Sequence, residues 1–144
     1  MLRSAVWASA LFCAALVFTG CALEDSTSQI RRFLAAAGGP DDALPPGLED
    51  ATSDPESSRF VGEYAGVSYF VTKYVDPDSA QPGFCLVLSN PSVGSASGCG
   101  SDANATRMRV GSDGTGSARV VVANDIIPAG WTKLGDFLIV NAER

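Results

Sequence analysis

The chain of 144 residues contains no histidine. That removes the commonest general base, the usual partner of a serine or cysteine nucleophile, and the commonest metal ligand. Lysine is almost missing too, with only Lys73 and Lys133. Ten basic residues face sixteen acidic ones, for a formal net charge of −6. This sign argues against nucleic acid, whose phosphates need clustered Lys and Arg. It argues equally against a polybasic grip on anionic lipid head groups. Cysteines are few and none is spaced Cys-x-x-Cys, so without histidine no zinc site is expected. The length allows one domain.

Charge is also missing from residues 4–23, and here the absence is informative. Arg3 precedes an apolar run over residues 5–18, which breaks into Thr19-Gly20 directly before Cys21. A charged start, an apolar core and a small-residue end are the three parts of an export signal. The string Phe18-Thr19-Gly20-Cys21 resembles the lipobox of bacterial lipoproteins, with Phe18 departing from the usual Leu. That resemblance implies a diacylglyceryl group on Cys21 and cleavage just before it. Two acyl chains are the number at which anchoring becomes stable. Two other readings stay open. Twenty uncharged residues suffice for a retained transmembrane helix, and ordinary signal cleavage would release a secreted protein. With Arg3 inside, the positive-inside rule leaves Glu24-Asp25 on the outer side.

Four cysteines stand at 13, 21, 85 and 99. Cys13 leaves with the signal and Cys21 takes lipid, so Cys85 and Cys99 remain to pair in an oxidising compartment. Their bridge would close a loop of about 15 residues, worth roughly 3 kcal/mol in the chain-entropy model.

The rest divides into two stretches, residues 21–58 and 59–144. Residues 29–37 predict one short helix, with Ile30, Phe33, Leu34 and Ala37 on one face, Ser26 or Ser28 as N-cap and Gly38-Gly39-Pro40 as stop. It would dock on the domain or lie on the membrane. Residues 40–58 are dominated by Pro, Asp, Glu, Ser and Gly, a composition expected to stay disordered and act as a spacer. Leu44 and Leu48 are candidates to pin part of it.

From Arg59 onward the signals are β. Strands are expected over residues 67–75, 84–89, more weakly 93–99, then 106–110, 117–123 and 137–140. Met108 and Val110 would face inward, Arg107 and Arg109 outward, and Asp113-Gly114 would tip a hairpin. The expected fold is all-β: a small antiparallel sandwich or barrel of six or seven short strands, preceded by the signal segment, short helix and disordered spacer.

No catalytic set emerges. Gly94-Ser95-Ala96-Ser97-Gly98 lacks hydrolase spacing and reads as a loop. Asp76-Pro77-Asp78 and Asp102 fail the EF-hand pattern and read as turn residues. Asn104-Ala105-Thr106 matches the glycosylation acceptor by chance. The carboxylates Glu63, Asp76, Asp78, Asp113 and Asp136 have surface or turn readings. Tyr64, Tyr69, Tyr74 and Trp131 either fill the core or form a binding surface, of which Tyr69, Tyr74 and Trp131 are the candidates.

Several short motifs taken together resemble small uncharacterised lipoproteins and membrane-anchored proteins of actinobacteria. They are Asp42-Ala43-Leu44-Pro45, Arg59-Phe60-Val61-Gly62, Gly66-Val67-Ser68-Tyr69, Cys85-Leu86-Val87, Cys99 and Gly130-Trp131 with Leu134-Gly135-Asp136. The resemblance covers about residues 40–144. It implies a paired Cys85 and Cys99 and supplies no catalytic residue. The expectation is a non-enzymatic, lipid-anchored protein on the outer face of the cell membrane, without metal or cofactor. Its β domain would bind a cell-envelope protein or polymer. The alternative is a small carboxylate-dependent enzyme acting on wall polymer.

Overall fold

The computed structural model describes residues 25–49, 54–122 and 124–142. The expected signal segment and Cys21 lie outside them. Among the described residues, no helix is long and apolar enough to cross a membrane.

Helix α1 spans Ser26–Ala35. Its cap is Asp25, one residue before the serine expected to serve: Asp25 Oδ1 accepts from the Ser28 amide at 2.7 Å. That amide, with the Ser28 hydroxyl, holds the Asp25 carboxyl below its ordinary range. Ser26 lies inside the helix, fully buried, and its hydroxyl donates to the Val121 carbonyl at 2.5 Å. Ile30 and Leu34, four residues apart, are buried on one face as their spacing requires. Phe33 beside them meets Phe137 edge-on, with ring centroids 5.4 Å apart. The helix therefore docks on the domain and shares its core.

Among the described residues eight strands follow, one more than the upper expectation, in two antiparallel four-stranded sheets. In the first, β1 (Arg59–Tyr64), β2 (Val67–Val75), β3 (Pro82–Asn90) and β4 (Gly94–Ser101) lie in sequence order. In the second, β5 (Arg109–Ser112), β6 (Gly116–Val120), β7 (Thr132–Leu134) and β8 (Leu138–Asn141) take the order β5–β6–β8–β7. The sheets form a sandwich and not a closed barrel. Alternation supplies the core: Val67, Tyr69 and Val71 from β2, and Phe84, Leu86 and Leu88 from β3. Val110, Ala118, Val120, Leu138 and Val140 come from the second sheet, and Ile30 and Leu34 from α1.

Two expectations fail for physical reasons. Residues 94–98, read as a loop on their motif though weakly expected within a strand over 93–99, belong to β4, which pairs with β3 along its length. Its small residues let the two sheets approach: a Cβ at Gly98 would stand 2.7 Å from Cγ2 of Val110. Residues 102–107 form a 3-10 turn, so Arg107 leaves the strand and β5 begins at Arg109.

The stretch read as a spacer makes specific bonds in its described parts. Asp42, in the 3-10 turn Pro40–Asp42, accepts from the Phe60 amide at 2.8 Å. Ser57, in the 3-10 turn Pro55–Ser57, accepts from the Lys73 amide at 2.7 Å. Arg59 donates back to the Ala36 carbonyl at 2.8 Å. Leu44 and Leu48 are half-buried. A few polar side chains thus bind to the sheet a segment whose average composition argues for disorder.

Candidate functional site

The second sheet turns one face to the core and the other outward. Register fixes who stands on the outer face. Arg109 on β5 lies directly opposite Arg119 on β6, Arg119 opposite Ile139 on β8, and Ile139 opposite Lys133 on β7. Directly paired residues share a face, so these four form one row across the whole sheet. Ile139 in the row is fully buried. The other three are cations in an acidic chain.

Like charges directly opposite one another destabilise a sheet. The neighbour that answers them is Trp131, just before β7. The guanidinium carbon of Arg109 lies 5.5 Å from its ring centroid and that of Arg119 5.6 Å. Each contact is worth roughly 0.5–1 kcal/mol at an exposed site. Arg109 also donates to the Ser117 hydroxyl at 3.4 Å. Among the described residues, no carboxylate forms an ion pair with Arg109, Arg119 or Lys133. A groove of about 320 Å³ continues the face past the sheet edge, lined by Arg107, Arg109, Asn104, Met108 and the Gly98-Cys99-Gly100 backbone.

Chemically, this is a planar aromatic beside two fork-shaped donors, with an ammonium on the same face. Arg presents paired N–H groups that match carboxylate or phosphate oxygens. Trp and Arg are also the residues most enriched where binding energy concentrates.

The three aromatic candidates do not converge. Trp131 belongs to this face. Tyr69 is 1% exposed and fills the core, so it offers no surface. Among the described residues its hydroxyl has no hydrogen-bond partner, and burial, helped by Tyr64, pushes its pKa up to about 12. Tyr74 is half-buried near α1, in a small cleft of about 230 Å³ with Leu34, Val75 and Pro82.

Cys85 and Cys99 are bonded to each other, directly opposite on β3 and β4 with Cα atoms 3.9 Å apart. Cys85 is fully buried and Cys99 exposed. The aspartates keep to local tasks. Asp76 accepts from the amides of Asp78 and Ser79, and the Ser79 contacts hold its carboxyl below the ordinary range. Asp102 is ion-paired with Arg31 of α1. Asn104 is exposed on the 3-10 turn. Among the described residues, no three His, Cys, Asp or Glu side chains group as metal ligands.

Sequence reasoning reached Trp131 as an aromatic and Arg109 as outward-facing. It missed the row, because a row is a property of register. The usable signal was alternation in Ser117-Ala118-Arg119-Val120, which puts Arg119 on the outer face once the hairpin pairing with β5 is known. Compared with protein-family models, curated proteins and solved structures, the chain matches none.

Proposed function

We propose that the chain is an exported protein, lipid-anchored through Cys21 at the outer face of the cell membrane, whose sandwich is a binding module. The Trp131 face is its binding surface, and the ligand is an anionic component of the cell envelope. One observation carries the reading: three cations lie in register on one face, two of them over the Trp131 ring, in a chain with net charge −6. Attraction is local, over roughly a Debye length of about 8 Å at physiological salt, so a basic row acts despite the acidic whole. The alternative of a carboxylate enzyme has less behind it. Glu63 is on β1, Asp76 and Asp78 in the β2–β3 turn, Asp113 in the β5–β6 turn and Asp136 in the β7–β8 turn.

The test is binding of the mature chain to isolated cell envelopes. The pair Arg109→Glu and Arg119→Glu is expected to weaken it by at least about tenfold, equivalent to about 1.4 kcal/mol. Added salt should weaken the wild type and leave the variant unchanged. Unchanged binding by a folded double variant would sink the assignment of this face.

A further inference from the structure

The occupant of the face follows from where the chain enters the fold. Three residues, Ala22, Leu23 and Glu24, separate Cys21 from the α1 cap Asp25. At full extension they place the Cys21 Cα within about 14 Å of that of Asp25. The next residue, Ser26, is bonded to Val121 at the end of β6. Lipid on Cys21 would therefore hold this end of the sandwich at the bilayer, with no long tether between.

The same end carries exposed apolar side chains. Past Val121 the chain turns at once: the Asp125 amide donates to the Val122 carbonyl at 3.0 Å, and the Asp125 carboxylate accepts from the Val122 amide at 3.2 Å. Out of that turn come Ile126, 91% exposed, and Ile127, 40% exposed, with Val122 at 36%. Isolated exposed hydrophobics need no explanation, but three within six residues form a patch. The strap then reaches Trp131. The cationic row lies one residue pair from the α1 end of the sheet, next to Val120↔Leu138.

We propose that this surface is a membrane seat: Arg109, Arg119 and Lys133 take anionic lipid head groups, Trp131 lies at the interface, and Ile126 with Ile127 dips into the acyl boundary. The three side-chain classes are those an anionic bilayer selects, and they occur together where the anchor enters. The acidic balance that argued against lipid contact is an average over the whole chain. The seat rests on the reading of Cys21 as the lipid site and of this face as the binding surface. It orients the sandwich, with the β3–β4 turn that carries Val93 pointing away from the bilayer.

Trp131 is the only tryptophan after Cys21, so the native chain carries its own probe. The mature lipid-bearing chain is reconstituted into vesicles of phosphatidylcholine with phosphatidylglycerol, with or without doxyl label near the head groups. Trp131 emission is expected to shift to the blue and to fall by about twofold with the label, as for a side chain at the interface. The quenching should shrink in pure phosphatidylcholine and in the Ile126→Asp and Arg119→Glu variants. A Val93→Trp, Trp131→Phe variant should stay unquenched. Unquenched Trp131 in a chain whose intact mass shows the lipid overturns the seat and leaves the anchor standing. A chain without lipid on Cys21 overturns the anchor, and the seat with it. Shielding of Trp131 only when envelope proteins are added assigns the face to a protein partner and overturns the seat.

Discussion

Tyr69→Phe should make the protein more stable. The hydroxyl of Tyr69 is buried in the core and, among the described residues, has no hydrogen-bond partner. An unsatisfied buried polar group of this kind costs about 1–3 kcal/mol. Removing one oxygen leaves a void of roughly 10 Å³, which at about 24 cal/mol per Å³ costs only about 0.2 kcal/mol. The expected net gain is therefore about 1–3 kcal/mol, or roughly 4–12 °C in Tm for a domain of this size. Urea unfolding of residues 21–144 with the disulfide intact, followed by Trp131 emission, measures it. A second arm uses pH. The folded phenol holds its proton up to about 12, whereas an ordinary tyrosine loses it near 10. Between those values the folded state binds the extra proton, so stability falls as pH rises, by up to about 1.4 kcal/mol per unit. Tyr69→Phe should remove that component of the alkaline loss. A variant that is less stable by about 1 kcal/mol or more, with an unchanged m-value, would show that the hydroxyl is satisfied and refute the reasoning.

Three further outcomes are expected. Replacing both Cys85 and Cys99 with Ala frees a loop of about 15 residues in the unfolded chain and should cost about 3 kcal/mol, read from the shift in urea midpoint. For Asp42, burial raises the pKa, but the Gly39 and Phe60 amides and Arg59 outweigh it and hold the carboxyl below its ordinary range. Its contribution is present above the unfolded value and lost as pH falls through the lower folded one, so Asp42→Asn should cost about 1–2 kcal/mol at neutral pH and flatten the acid limb of the stability profile. Gly98→Val drives two β-branched side chains into one another across the sheets and should cost at least about 1–3 kcal/mol by thermal unfolding, with Val110→Ala restoring part of it.

What could be read in advance depended on how far each signal reached along the chain. Ile30, Phe33 and Leu34 announce α1 because a helix declares its buried face within one turn and a half. Strands β2 and β3 announce themselves by aromatic and β-branched runs. Strand β4 announces itself only weakly, over residues 93–99, since Gly98 and its small neighbours are chosen by the closeness of Val110 in the other sheet. In the described parts of residues 40–58 composition averages over Asp42 and Ser57, whose bonds to β1 and β2 decide where those parts lie. The candidate face was legible as an aromatic and an outward arginine. Its assembly needed β7, three residues too short for any pattern, to bring Lys133 into line with Arg119.

The bond from Ser26 to Val121 spans 95 residues of sequence, and the Phe33–Phe137 ring contact still more. Helix α1 is thus completed by residues flanking the strands of the second sheet. A chain threaded outward from its N-terminus cannot close this core until nearly all of it has crossed, and contacts of such separation form slowly. Lipid transfer and cleavage at Cys21 would meet a helix with nothing yet to dock on. With Cys21 processed as proposed, maturation there and completion of the fold would be consecutive events, ordered by topology.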